Sequence, residues 1–232
     1  MNLYSIRNWI LIKLGRAPEL KPNICYGQDG EDLILKRLLG NKGGGFYVDI
    51  GAHHPIRFSN TYFFYRQGWR GINVDAMPGS MIEFNRLRSR DINIECGVGA
   101  ASNVLTYYRF NEPALNTFNL AEAQHKNNGA YRLLDSIPVR VKRLDTLLDC
   151  HLPVDQEIDF FSIDVEGNDH EVLRSNNWER YRPRFIIIET LRTDLLGLKK
   201  CPVTNFLLGV GYKPISKVYN TTFFAREDCQ DN

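Results

Sequence analysis

Three carboxylates stand at the ends of apolar runs in this chain: Asp164 and Glu166 after Phe160-Phe161-Ser162-Ile163, and Glu189 after Phe185-Ile186-Ile187-Ile188. If residues 160–165 form a strand, period-2 alternation sends Asp164 and Glu166 to the same side. A carboxylate there could take a proton from a hydroxyl, position an acceptor or hold a cationic group. His170 follows Glu166 by four residues. It would share a face with Glu166 if a helix began at once, and histidine is the usual base near neutral pH. His53 and His54 end another apolar run and join Glu189 as substrate-side candidates, although a loop histidine is more often solvated. Asp164, Glu166 and Glu189 also make an alternative Mg²⁺ ligand set, since that ion takes a few carboxylate oxygens plus waters. A metal-free site is favoured, because acids around a cationic ligand need no metal to explain them. The plainer reading has Asp164 and Glu166 capping the next helix, a task that rarely takes two acids.

Positioning these groups requires strand ends that converge. Continuous apolar runs at residues 46–50, 71–74, 92–96, 160–165 and 185–188 suit strands buried on both faces. Helical patterns at 33–39, 59–67, 80–88 and 169–175 lie between them, as in a doubly wound parallel sheet with right-handed crossovers. Residues 104–143 break the rhythm. Residues 105–110 read as an extra strand and 111–135 as a polar, weakly periodic stretch, so the segment is read as an insertion over the site, either a lid or a surface loop. Residues 213–219 and 222–226 around Asn220-Thr221 carry a hairpin signal. The expected fold is α/β: a mostly parallel seven-stranded sheet with a C-terminal antiparallel hairpin and helices on both faces. One domain is expected over residues 26–232, preceded by an extension at 1–25.

Lys and Arg number 29 against 27 Asp and Glu, a balance that offers no nucleic-acid surface. The five cysteines are scattered and never spaced CxxC, which argues against a disulfide framework or a zinc site and fits a reducing cytoplasm. Leu3, Ile6, Ile10 and Leu14 recur at helical spacing beside Arg7, Lys13 and Arg16. This short basic helix either packs on the body or a partner subunit, the commoner use, or makes peripheral membrane contact through residues 1–16. It is too short to span a bilayer, and no secretory signal is expected.

The run ending Asp49-Ile50-Gly51-Ala52 brings the chain to the carboxyl edge of the sheet, where glycine lets a ligand approach the backbone. No GxGxxG follows, so the cradle expected for a pyrophosphate is missing and a phosphate-free ligand fits better. Asp75 ends the next run 26 residues after Asp49, where its carboxylate could accept from both hydroxyls of a ribose. The competing reading makes Asp75 a helix cap and Asp49 a turn residue. Ser59-Asn60-Thr61 would open a helix facing the ligand or merely cap it.

The order Tyr26-Gly27-Gln28-Asp29-Gly30-Glu31-Asp32, Gly45-Phe46-Tyr47-Val48-Asp49-Ile50-Gly51-Ala52, Gly71-Ile72-Asn73-Val74-Asp75-Ala76, Leu144-Asp145-Thr146-Leu147 and Ile158-Asp159-Phe160-Phe161-Ser162-Ile163-Asp164-Val165-Glu166-Gly167 resembles the FkbM-type methyltransferases over residues 26–189. The resemblance implies a Rossmann-like class I methyltransferase fold, S-adenosyl-L-methionine as donor, and O-methylation of a hydroxyl on a carbohydrate or other natural product. The cofactor is then expected against Gln28, Glu31, Asp49, Gly51, Ala52, Asp75, Ala76, Met77 and Asp164. Cys96, Gly97 and Val98 would lie under its adenine, and Ser59 and Asn60 at its methionine carboxylate. His53-His54-Pro55 departs from the further glycine that many members carry there. A nicotinamide oxidoreductase and a non-catalytic binding module are the alternatives. The acceptor is expected to be a small molecule or saccharide, not nucleic acid, with the oligomeric state open.

Overall fold

The computed structural model describes residues 3–16, 23–40 and 42–229. Helix α1 (Leu3–Lys13) precedes α2 (Glu31–Leu39), whose first turn carries Glu31 and Asp32 where the helix dipole favours acids. Strands and helices then alternate through β1 (Phe46–Ile50), α3 (Tyr62–Arg66), β2 (Arg70–Asp75), α4 (Met81–Leu87) and β3 (Ile92–Glu95). The short β4 (Gly97–Val98) leads into β5 (Asn103–Phe110), α5 (Leu120–Lys126) and β6 (Leu133–Lys142). Alternation resumes with α6 (Leu144–His151), β7 (Phe160–Ile163), α7 (Asp169–Arg174), β8 (Phe185–Glu189) and α8 (Pro202–Gly209), and ends in the hairpin β9 (Tyr212–Val218) and β10 (Thr221–Arg226).

The main sheet has the order β3-β2-β1-β7-β8-β10-β9. The first five strands are mutually parallel, and β10 runs antiparallel between β8 and β9. This is the expected α/β architecture, a mostly parallel seven-stranded Rossmann-like sheet of the class I methyltransferase type. Helices cover both faces, and the alternation within each strand shows how. Val48, Ile50, Phe161, Ile163, Ile186 and Ile188 join one core, with Leu144, Leu147 and Leu148 of α6, Val172 of α7 and Leu207 of α8. Tyr47, Phe160, Phe185 and Ile187 join the other, with Leu35 and Leu39 of α2 and Phe64 and Tyr65 of α3. By the same period of two, Asp49, Ser162 and Glu189 belong to the α2/α3 face, one step nearer the carboxyl edge.

Four expectations need correction. The polar stretch after residue 111 is not a plain loop: β6 is ten residues long and pairs with β5, and with β4 makes a second, three-stranded sheet. Its outer positions are polar and exposed, which hid the alternation. The hairpin turn is Tyr219-Asn220, not Asn220-Thr221, because Val218 pairs with Thr221. Helices α6 and α8 were not expected, although Leu144, Leu147 and Leu148 carry a helical period and Pro202 occupies a first-turn position suited to proline. Finally, α1 forms, yet its Ile6, Trp9, Ile10 and Ile12, and Leu14 just after it, are exposed, so these side chains do not pack on the body. Among the described residues no helix is long and apolar enough to cross a membrane.

Candidate active site

Two cavities open along the carboxyl edge of the sheet. The smaller, about 340 Å³, lies over the ends of β1, β2 and β4. The larger, about 780 Å³, lies on the α2/α3 side. They share a wall made of Gly51, His53, Ala114, Asp164 and Glu166. Gly51 has φ +79°, and a Cβ there would stand 1.7 Å from the carbonyl oxygen of Asp164. Only glycine lets β1 and the chain after β7 close so tightly beside a ligand space.

Asp75, Ala76, Met77, Cys96, Gly97, Val98 and His54 line the smaller cavity. Asp75 is buried, and its two oxygens accept 2.8 Å bonds from the backbone N–H groups of His53 and Met77. Burial raises its pKa, while these bonds oppose the rise. A carboxylate has about four lone-pair sites, so two remain for ligand hydroxyls. The insertion supplies the roof: Tyr107 and Phe118 pack with ring centroids 4.7 Å apart, and a Cβ on Gly97 would meet Phe118 at 2.6 Å. His53 spans both cavities, and burial first, then nearby Arg57, lowers its pKa to about 4. It is neutral at pH 7, and its Nε2 is buried without a partner.

Gln28, Glu31, Asp49, Ala52, Asn60 and Glu189 line the larger cavity. Asp49 is buried and accepts a 2.7 Å bond from the Thr61 hydroxyl, which receives a 2.9 Å bond from Arg88. Arg88 is itself fully buried in an ion pair with Asp91. Asp164, Glu166 and Glu189 bring ligand oxygens within 4.8 Å of one another, a set whose geometry could hold a metal ion. Burial, then the neighbouring acids, raises Asp164 well above the carboxylate range even though its side chain opens into the cleft. The same causes push Glu189 up to about 11, and its Oε2 is buried without a partner. Lys126 of α5 bonds the Glu166 carboxylate and counters the burial that raises its pKa. Three acids so close either keep protons or draw a cation beside them.

The convergence of Asp164 and Glu166 does not come from strand alternation. Strand β7 stops at Ile163, and Glu166 adopts a left-handed backbone, φ +56°. The turn is held by Asp169, whose carboxylate accepts from the N–H groups of Val165 and Gly167, so neither Asp164 nor Glu166 caps α7. Insertion residues grip it from above: Thr117 donates to the Glu166 carbonyl and Asn119 to that of Gly167. Because α7 begins only at Asp169, His170 does not share a face with Glu166. It packs edge-on against Phe206 of α8 and lines neither cavity. Ser59 is likewise off the site, a buried residue whose hydroxyl accepts from the Tyr62 N–H at the start of α3.

Several lining residues escaped the sequence reading: Phe58, Lys126, Tyr131, Ser162, Arg192 and Tyr219. Alternation from Phe160 could have found Ser162; Lys126 ends the short helix α5, and the rest sit in irregular segments without a period. One backbone feature unites many of them. Of the six non-glycine residues with positive φ among the described residues, His53, Phe58, Glu166, Arg192 and Tyr219 line these cavities, and Asp155 alone does not. Left-handed backbone in bulky residues is costly and gathers at functional sites.

The model of the methyltransferase FkbM domain matches residues 49–196. No curated protein matches the chain. Among solved structures it is similar to the methyltransferase domain of METTL16, with TM-score 0.46 and 11% identity, covering 97% of this chain and 79% of that one. It is also similar to a TehB-like SAM-dependent methyltransferase from Corynebacterium glutamicum, with TM-score 0.43, 11% identity and 96% of each chain. The small RNA methyltransferase HEN1 gives TM-score 0.40 and 11% identity over 94% of this chain and 28% of that one. Likenesses at these scores carry no functional weight. The family match covers well over half of the sequence and includes the site's Asp49, Asp75, Asp164 and Glu189: the chain belongs to the FkbM methyltransferase family.

Proposed function

We propose that this chain transfers the methyl group of S-adenosyl-L-methionine to a hydroxyl oxygen of a carbohydrate or glycosylated metabolite. The observation that carries the reading is the shared wall: one ligand-sized cavity meets a wider one at Gly51, His53, Asp164 and Glu166. The smaller cavity suits a nucleoside. Its base would lie along Cys96, Gly97 and Val98, under Phe118, and its ribose hydroxyls would meet Asp75. Glu31, Gln28, Asp49 and Asn60 would take the amino-acid end, with Asp49 braced through Thr61 by Arg88. The absence of a glycine-rich phosphate cradle supports a donor without phosphates over a nicotinamide dinucleotide.

The donor supplies an electrophilic methyl group on a sulfonium with a good leaving group. The chain must align the acceptor oxygen and receive its proton. Asp164 or Glu166 is placed to take that proton at the junction of the two cavities, and His170 lies outside it. Glu189 would orient acceptor hydroxyls. Positive charge beside Asp164, Glu166 and Glu189 would relieve any mutual repulsion, and a bound sulfonium would supply it without Mg²⁺. The free thiols of Cys25, Cys96, Cys150 and Cys201 fit a reducing, cytoplasmic setting.

Calorimetric titration with S-adenosylhomocysteine tests the donor site, and no binding would refute it. A labelled-methyl screen over sugar nucleotides, glycolipids and glycosides, with and without Mg²⁺, tests the acceptor. Asp164→Asn or Glu166→Gln should cut turnover by roughly 10²-fold, the usual loss on removing a general base.

A further inference from the structure

Three large aromatic side chains stand at the mouth of the wider cavity: Phe58, Tyr131 and Tyr219, exposed to 39%, 44% and 75%. Folding alone gives no reason for them, since an exposed ring leaves its apolar faces in water. For two of them the backbone is also strained, with φ +58° at Phe58 and +44° at Tyr219. Tyr219 is the first residue of the two-residue β9–β10 turn, a position where hairpins with positive φ favour glycine or asparagine. Phe58 is pinned by Arg57, whose guanidinium lies 4.1 Å from its ring centroid, and is stacked near the His53 ring. Tyr131 comes from the insertion, between α5 and β6. Three separate segments thus deliver rings to one cleft.

The floor beneath is acidic. Seven carboxylates line the cleft against two cations, Lys126 and Arg192, leaving His125 aside. Both cations are already in ion pairs, with Glu166 and Glu122. A phosphate entering here would face repulsion and find no free cation among the lining residues. A polyol would find acceptors for its hydroxyls, including the unpartnered Oε2 of Glu189, a residue more than nine-tenths buried. The electronegative face of an aromatic ring in turn attracts the C–H groups on the apolar face of a sugar.

We infer that Phe58, Tyr131 and Tyr219 form an aromatic rim that grips an unphosphorylated sugar ring of the methyl acceptor, with its hydroxyls turned to the carboxylates below. The inference rests on the methyl-donor reading and names its acceptor subsite. The stored backbone strain fits a residue kept for its ring: glycine would suit the turn at 219 better and would remove the ring.

The test uses the full chain. S-adenosylhomocysteine titration comes first, followed by initial rates of labelled-methyl transfer to methyl glycosides of neutral hexoses and 6-deoxyhexoses, to the matching hexose 1-phosphates, and to catechol. Transfer to a neutral glycoside is expected. Phe58→Ala, Tyr131→Ala and Tyr219→Gly should each raise its KM about tenfold, with the S-adenosylhomocysteine Kd unchanged within about twofold. Tyr219→Phe should keep the KM, and Tyr219→Gly should raise the melting temperature while weakening the acceptor. Preference for the 1-phosphate or catechol, no transfer to any neutral glycoside by protein that binds S-adenosylhomocysteine, or rim variants with unchanged KM overturns this inference and leaves the donor reading standing. Failure to bind S-adenosylhomocysteine overturns both.

Discussion

In the smaller cavity the buried acid Asp75 has both oxygens engaged by backbone N–H groups of the loops after β1 and β2. In the larger one Glu189 keeps a buried oxygen without a partner, beside Asp164 and Glu166. The first arrangement is in place before a ligand arrives: backbone N–H groups hold the carboxylate with two lone-pair sites to spare, and its walls are largely apolar. The second is frustrated, with three acids crowded together, burial raising the pKa of each, and Lys126 the one cation among the described residues that bonds any of them. A preformed pocket suits a constant donor, whereas an unneutralised one is completed by the cationic and polyhydroxylated groups it is to bind.

The difference can be broken outright at the shared wall. Gly51→Ala adds a Cβ into the Asp164 carbonyl at a positive φ, and should cost roughly 3 kcal/mol or more from left-handed strain and overpacking together. Urea midpoints would register it, and both cavities should fail at once. Asp75→Ala confines the damage to the donor side. Loss of charge-assisted bonds should weaken S-adenosylhomocysteine binding by about 10- to 100-fold in calorimetry, while neutral glycoside binding to the larger cavity changes little.

Protonation bears most on the larger cavity, although burial also raises Asp75 in the smaller one. Asp164, Glu166, Asp169 and Glu189 all have folded pKa values raised above their unfolded ones, Asp169 to about 7 and Glu189 to about 11. Their stabilisation is therefore fully present below the unfolded carboxylate range near pH 4 and is lost as pH rises through the folded values. The melting temperature of the ligand-free protein should fall between pH 5 and 9, on the order of a few degrees. Glu189→Gln should flatten that slope and leave S-adenosylhomocysteine affinity intact; a slope unchanged by the substitution would show that the cluster is not frustrated. Lys126→Met should have the smallest effect, a few-fold rise in acceptor KM with no change at the donor site, read from initial rates.

Much of this frame was legible in the chain. Apolar runs located all five parallel strands, and Asp49 and Asp75 were placed at strand ends because a strand buried on both faces tolerates a carboxylate only where the edge opens to a ligand or a loop N–H. His170 was misjudged because sequence spacing assumed a helix running straight on from Glu166. The chain instead turns through a left-handed residue there, and Asp169, not either of the two catalytic candidates, ties the turn down. Ser59 was misplaced by the same kind of error, one turn ahead of the helix it opens.

By itself the sequence determined the parallel sheet, its antiparallel close, the missing phosphate cradle and the acids at the strand ends, since these follow from local periodicity and residue chemistry. Only the tertiary structure decided that Asp164, Glu166 and Glu189 share one charged space, that the insertion roofs one cavity and supplies Lys126 and Tyr131 to the other, and that strained aromatic residues ring its mouth. Those facts depend on contacts between segments far apart in the chain, on which no local pattern bears.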